Sequence, residues 1–275
     1  MTISDKPILV ATDLSARSDR AVDRATLLAR QWGVRLIVLH ALERGSYLED
    51  RPELIDAAIR SSLPDPLADV GIVPAIGPAP AMITQASTQT GCSLIVTGVA
   101  RFNQIGDYFI GTAVDHVVRH ARAPVLVVKQ RPHRSYDTIV IATDYSRCSL
   151  QALLKAAELF PGAALHLVHA YHVPYESWAR SEDVKEGVSR EAQAQLDDFV
   201  QDPAIPDAVR ARLTARLGYG ETHSVVWEAA DATDADLVVL GTHGRSGLIP
   251  AFIGSMAESL LQSIPYDTLM VRELP

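Results

Sequence analysis

A glycine-rich stretch near the end of the chain combines the groups best suited to hold a phosphorylated ligand. It has the sequence GTHGRSGLIPAFIGS, follows an apolar run and precedes a helical segment, MAESLLQSI. Glycines let the backbone approach an anion closely, and the first turn of a helix offers unpaired N–H groups and the positive end of its dipole. The guanidinium of Arg245 suits phosphate oxygens, and Ser255 is predicted to cap the helix and meet a phosphate. The stretch therefore predicts a phosphate site, while a ligand-free turn is the alternative.

The first half of the chain contains a damaged copy of this stretch, GVARFNQIGDYFIGT. Gly98, Gly111 and Thr112 match, but Arg101 occupies the position of the second glycine and Asp107 adds negative charge. The arginine side chain would crowd the path of the phosphates, so we predict weak binding or none, in a site that is vacant or filled by the chain itself. In the alternative, Arg101 turns into the pocket and binds an anion.

The rest of the sequence repeats in the same way. PILVATDLS and TIVIATDYS open the two halves, and each is followed by a helix-length segment and a second apolar run, RLIVLHA or ALHLVHA. The runs CSLIVTG and ADLVVLG lead into the two glycine-rich stretches, and PVLVVK and TLMVR close the halves. Short apolar strands alternating with helices are typical of βαβ units with a buried parallel sheet.

We therefore predict two α/β domains, residues 1–131 and 136–275, joined by the polar segment QRPHRSYD at residues 130–137. The two halves differ most after their second strand. There, residues 171–212 contain a charged insertion and are longer than the corresponding residues 42–71. This insertion is predicted to cover a site or a partner surface.

Composition limits the classes of partner. The 275 residues carry a formal charge of −8 with both signs interspersed, which argues against a broad surface for nucleic acid or an anionic membrane. No apolar run approaches the ~20 residues of a spanning helix, and the first residues do not resemble a signal peptide. The two cysteines, Cys92 and Cys148, suggest neither a disulfide framework nor a metal site. We expect a cytoplasmic protein.

The pattern Gly-x2-Gly-x9-Gly-Ser, after an opening strand that ends in Asp, resembles the universal stress protein family over nearly the whole chain, twice. The resemblance implies two Rossmann-like or flavodoxin-like domains of the adenine nucleotide alpha hydrolase-like type, each with a five-stranded, mostly parallel sheet flanked by helices. It also implies ATP, with Mg, as the cofactor of the second half. The residues predicted to bind ATP are Thr143, Asp144, Ala170, Gly241, Gly244, Arg245, Gly254 and Ser255.

In this family the glycines and the Ser/Thr hold the phosphates, the first-strand Asp contacts adenine, and backbone at the end of the second strand flanks the base. Members also pair through their last strands. PVLVVK and TLMVR would then meet inside one chain as a pseudo-dimer, with a homodimer left open. Asp267 aligns with Pro124, so the two closing strands are not chemically equivalent.

Other residues carry weaker signals. Asp13 is predicted to satisfy backbone N–H groups rather than to contact a ligand. His116 and His120 share a helical face, but no third ligand accompanies them, so no metal is predicted. No hydrolytic motif is present, and the predicted function is an ATP-binding stress-response or signalling protein. The alternatives are a slow ATPase or phosphotransferase, and a nucleotide-free scaffold whose insertion binds a partner.

Overall fold

The computed structural model describes residues 5–65, 69–99, 101–104, 107–109, 111–172, 182–244 and 253–273. The first half runs β1 (Ile8–Thr12), α1 (Asp19–Trp32), β2 (Leu36–Leu42), α2 (Pro52–Ser62), β3 (Val70–Ile76), α3 (Ala79–Thr90), β4 (Leu94–Gly98), β5 (Arg101–Gln104), β6 (Asp107–Phe109), α4 (Thr112–His120) and β7 (Val125–Val128).

The second half runs β8 (Thr138–Ala142), α5 (Arg147–Leu159), β9 (Ala164–Tyr171), α6 (Glu182–Val200), α7 (Asp207–Arg210), β10 (Leu213–Tyr219), α8 (Thr222–Ala232), β11 (Leu237–Gly241), α9 (Ser255–Ser263) and β12 (Asp267–Val271). No helix in the described part of the chain is both long enough and apolar enough to cross a membrane.

The strands form two parallel five-stranded units joined into one sheet. Its order is β10-β9-β8-β11-β12-β7-β4-β1-β2-β3. All pairs are parallel except β12 with β7, where the two halves meet antiparallel. The predicted fold, two α/β domains with five-stranded sheets flanked by helices, is confirmed.

Strands covered on both faces explain the apolar runs of the sequence. Ile8 and Val10 of β1 join a core under α1 and α5, whereas Leu9 between them joins a second core under α3 and α4. The inserted helix α6 completes the first of these cores with Leu196 and Phe199, both buried. The insertion therefore has an apolar face that covers the sheet.

The junction between the halves is symmetric in register. Leu126 of β7 lies opposite Leu269 of β12, and these two residues occupy the same position in the two repeats. Val125 pairs with Met270, and Thr268 pairs with Val127, so a pseudo-two-fold axis passes between the two leucines. The predicted intrachain pairing of the closing strands is present, and it hides two apolar sheet edges from solvent.

Asp267, the residue that breaks the chemical symmetry, is the centre of this junction. Its Oδ1 accepts hydrogen bonds from the backbone N–H groups of Lys129 and Gln130, at 2.7 and 2.9 Å. Its Oδ2 accepts one from the hydroxyl of Tyr136 at 2.5 Å and lies 3.5 Å from Nε of Arg24. Asp267 is 1% exposed. The carboxylate thus ties together α1, the end of β7, the linker and the start of β12.

Lys129 of the first half contacts the second half across the same junction. Its Nζ donates to the carbonyls of Leu261 and Ile264 at 2.7 and 2.8 Å, and to Oγ1 of Thr268 at 3.2 Å. These carbonyls belong to the C-terminal end of α9, where a cation meets the negative end of the helix dipole. Burial lowers the pKa of Lys129 to about 7, although the nearby Asp267 carboxylate acts to raise it.

The linker contacts both halves of the chain, although its polar sequence suggested a segment without such contacts. The guanidinium of Arg24 donates to the carbonyl of Arg134 at 2.7 Å and lies 4.1 Å from the ring centre of Tyr136. Arg134 in turn forms ion pairs with Asp234 and Asp236 of the second half. Tyr136 is buried, so the linker is anchored in the junction at this residue, although most of its other residues are exposed.

Substituting Asp267 with Ala should lower the free energy of unfolding by about 3–5 kcal/mol, because it leaves buried donors and Arg24 without their carboxylate. Chemical denaturation measures this loss. Asp65→Ala is the matched control, since Asp65 pairs with Arg30 at an exposed site, and it should cost less than about 1 kcal/mol. Equal losses in the two variants would contradict the account of the junction.

The lowered pKa of Lys129 predicts a pH dependence of stability. The pKa is about 7 in the folded chain against an ordinary value of 10.5, so between these pH values the unfolded state binds more protons and the free energy of unfolding rises with pH. Relative to Lys129→Met, wild type should therefore gain stability as the pH increases from about 7 to about 9 in chemical denaturation. A constant difference between the two proteins would refute the prediction.

Candidate functional site

Most of the predicted site residues of the second half line a single cavity of about 190 Å³. The cavity lies at the carboxyl ends of β8, β9 and β11, beside the starts of α8 and α9, which is where open parallel sheets usually bind ligands. The predicted residues in its wall are Thr143, Asp144, Ala170, Gly241, Gly244 and Gly254. Arg245 lies outside the described residues. The fold thus brings residues from separate segments of the second half to one cavity.

The turn after β8 is built by its own polar side chains. Oδ1 of Asp144 accepts a hydrogen bond from the backbone N–H of Ser146 at 3.1 Å. Oγ1 of Thr143 accepts from the backbone N–H of Tyr145 at 3.0 Å and lies 2.9 Å from Oγ of Ser149. Tyr145 has a φ of 63°, a left-handed conformation that costs energy for a residue with a side chain. The hydrogen bonds of the Thr143 hydroxyl therefore stabilise a turn whose backbone is strained at Tyr145.

Two glycines of the site, Gly244 and Gly241, are required by packing, which the sequence did not reveal. A Cβ at Gly244 would lie 2.6 Å from Oδ2 of Asp144, so only glycine leaves that carboxylate in place. A Cβ at Gly241 would lie 3.0 Å from Sγ of Cys148 and 3.2 Å from the backbone nitrogen of Ser149, at the start of α5. At Gly254 a Cβ would meet its nearest atom, the carbonyl oxygen of Thr242, at 3.6 Å, an ordinary contact.

Ser255 occupies a different position from the one predicted for a cap. It is the first residue of α9, and Gly254 is the N-cap, without a side-chain hydrogen bond. Ser255 is exposed, and the wall of the cavity at this helix is formed by Met256, Ala257 and Leu260. The capping prediction was wrong because the helix begins one residue earlier than a serine cap requires.

Two histidines line the cavity beside the predicted residues. Nδ1 of His169 lies 2.8 Å from the carbonyl oxygen of Thr143, and its ring stacks on Tyr145 with 4.1 Å between centroids. Nδ1 of His243 lies 2.8 Å from Oγ1 of Thr242. The signal for His169 was present in the repeat, because His40 holds the same place in β2, with Nδ1 at 2.9 Å from the carbonyl oxygen of Thr12.

The first half forms an equivalent cavity, of about 210 Å³, at the ends of β1, β2 and β4. The turn is the same, since Thr12 contacts Ser18 at 2.8 Å and Leu14 has a φ of 60°. The walls differ at several places, including one charged and one polar residue of the first cavity. Arg17 lines this cavity at the position of Cys148, and Thr97 lines it at the position of Leu240.

Asp13 at the mouth of the first cavity is held by its own turn, as predicted. Oδ1 accepts from the backbone N–H and the hydroxyl of Ser15, at 3.0 and 2.6 Å. Burial acts to raise the pKa of Asp13, but these hydrogen bonds and one from Ser18 outweigh it and lower the pKa below its ordinary value. Asp13 is exposed, so it presents a stable negative charge at that mouth.

The damaged glycine-rich stretch of the first half contains two short paired strands. β5 and β6 pair antiparallel, with Arg101 opposite Phe109. The side chain of Arg101 lies outside the described part of the structure, so the two predicted alternatives for it stay predictions.

Two histidines lie side by side on α4. His116 and His120 stack with 4.1 Å between ring centroids, and burial together with the neighbouring His120 lowers the pKa of His116. Among the described residues no group of three or more His, Cys, Asp or Glu side chains is arranged to hold a metal ion.

Two α/β units paired edge to edge, each with a cavity at the carboxyl ends of its strands, define a tandem, two-domain protein of the doubly wound class. The model of the universal stress protein family matches the chain twice, over residues 5–129 and 135–272. The chain belongs to the universal stress protein family.

Similar proteins cover the chain to different extents. A universal stress protein of Mycolicibacterium smegmatis is 23% identical over 296 residues, with 96% of each chain covered. Universal stress protein E of Escherichia coli strain K12 is 27% identical over 184 residues, which span 57% of this chain and 53% of that protein. Sequence similarity thus extends over both domains.

Solved structures show the same fold. A putative universal stress protein of Pseudomonas aeruginosa superposes with a TM-score of 0.67 at 20% identity, covering 97% of this chain and 93% of that one. A universal stress protein of Archaeoglobus fulgidus has the same TM-score at 18% identity, with coverage of 97% and 98%.

Thr143→Val tests whether the threonine hydroxyl supports the turn. Because the change leaves the backbone N–H of Tyr145 and the hydroxyl of Ser149 without this partner, we expect a loss of about 1–3 kcal/mol in chemical denaturation. Thr12→Val in the first half is the matched comparison and should cost about the same. A Thr143→Val protein of unchanged stability would contradict the structural role.

Proposed function

We propose that the protein is an ATP-binding stress-response or signalling protein, in which the domain at residues 136–275 binds ATP and the domain at residues 1–131 does not retain it. The observation that carries the proposal is the cavity at the ends of β8, β9 and β11, which gathers Asp144, Gly241 and Gly244 beside the start of α9.

The inner part of the cavity suits a nucleotide base. Its walls include Val168, Ala170, Val226 and Leu240, all apolar. Asp144 supplies a carboxylate that can accept hydrogen bonds from an amino group. Apolar walls with a few fixed polar groups are the usual composition of a small-molecule site. Adenine fits this arrangement, with Asp144 as its polar contact.

The outer part of the cavity suits the phosphates. Gly254 is the N-cap of α9 and lines the cavity with Met256 and Ala257, so the unpaired N–H groups of the first turn of this helix are proposed to bind the phosphates. Arg245 is the proposed cationic partner of the phosphate oxygens, and Mg²⁺ bound between those oxygens would neutralise part of their charge.

The first domain differs in the features that a triphosphate needs. Arg101 stands where the second domain has Gly244, and Asp107 adds a negative charge to the same stretch. Both changes disfavour a chain of phosphates. Binding, not chemistry, is the proposed mechanism, in which occupied and empty states of the second domain differ in their affinity for a cytoplasmic partner.

Calorimetric titration of nucleotide-stripped protein with Mg-ATP tests the proposal. We expect about one ATP per chain. Gly244→Arg should abolish the binding, because the new side chain occupies the space beside Asp144. Gly162→Arg is the matched control, since a Cβ at Gly162 meets no atom within 4 Å, and it should bind as wild type does.

Two results would overturn the proposal. Absence of binding would favour a nucleotide-free scaffold, and binding that survives Gly244→Arg would place the nucleotide elsewhere. Release of inorganic phosphate in the same samples would instead favour the slow ATPase.

A further inference from the structure

The pseudo-two-fold axis creates two equivalent crevices between the domains, and only one of them is filled. In the filled crevice, Arg24 of α1 faces Asp267 at the start of β12 while Tyr136 of the linker covers both. Arg24, Asp267 and Tyr136 are exposed by 5, 1 and 3%, so this crevice is closed to solvent.

The second crevice has the same walls with different residues. Lys155 of α5 corresponds to Arg24 in the repeat, and Pro124 before β7 corresponds to Asp267. Between them lies a cavity of about 340 Å³, larger than either cavity at the carboxyl ends of the strands. The carboxylate that fills the first crevice has no counterpart at Pro124.

The charge of the open crevice is positive. Lys6, Arg122 and Lys155 line it, against one acidic residue, Glu158, which accepts a hydrogen bond from Lys155. These cations come from the segment before β1, the turn before β7 and helix α5 of the second domain, so the fold, and not one basic segment, brings them together. Burial raises the pKa of the Cys92 thiol in the same wall to about 11, so this thiol adds no negative charge at neutral pH.

We propose that the open crevice binds a small phosphate-type polyanion, of which inorganic pyrophosphate is the simplest, in the position that Asp267 fills on the other side of the axis. Three cations and one carboxylate leave the lining of the cavity with a net positive charge, which favours a ligand with several negative oxygens over a single carboxylate. The site joins the two domains, and it lies apart from the cavity proposed for ATP.

Calorimetric titration with pyrophosphate, without nucleotide, tests this inference. Arg122→Gln and Lys155→Gln should each weaken the binding at least about tenfold, which corresponds to about 1.4 kcal/mol. Gly244→Arg should leave it unchanged, so this result is independent of the ATP proposal. Arg30→Gln is the matched control, because it removes an exposed cation that does not line the crevice.

A further variant imitates the filled crevice. Pro124→Asp supplies the missing carboxylate opposite Lys155 and should abolish pyrophosphate binding by occupying the site. Should this variant fail to fold, the two glutamine substitutions still decide the matter. No binding by wild type, equal weakening by Arg30→Gln, or loss with Gly244→Arg alone would overturn the proposal.

Discussion

The antiparallel contact between β7 and β12 is the constraint on which the rest of the structure depends. It turns two parallel five-stranded units into one ten-stranded sheet and fixes the relation between the domains. Across this contact, the buried carboxylate of Asp267 binds the first half, and the buried ammonium of Lys129 binds the second half. A buried charge is tolerated only when its hydrogen bonds are satisfied, so both groups specify one arrangement of the domains.

Near-symmetry around this contact explains where the chain has specialised. The glycine-rich stretches, the cavities and the crevices each occur twice, and the two members of each pair differ in the charge or size of their side chains. Gly244 and Arg101 distinguish the two glycine-rich stretches, whereas Asp267 and Pro124 distinguish the two crevices. Lys129 also connects the junction between the domains with the proposed ATP site. It binds the last carbonyls of α9, and the first turn of the same helix borders that site.

The sequence predicted features that repeat and missed features that depend on contacts between distant residues. Matched apolar runs predicted eight of the ten main strands. The resemblance to the family implied five strands in each sheet and the site residues Asp144, Ala170 and Gly241. The importance of Asp267 was not predicted, because its partners lie more than 130 positions away and a lone Asp in a strand looks like a mismatch. The packing reason for Gly244, its closeness to Asp144, likewise needed coordinates.

A crystal structure of the chain grown with Mg-ATP tests the central claim most directly. The account predicts one nucleotide per chain, with adenine between Asp144 and Ala170 and phosphates at the start of α9, while the cavity of the first domain holds none. A nucleotide in the first domain, or an empty second cavity at saturating Mg-ATP, would contradict it.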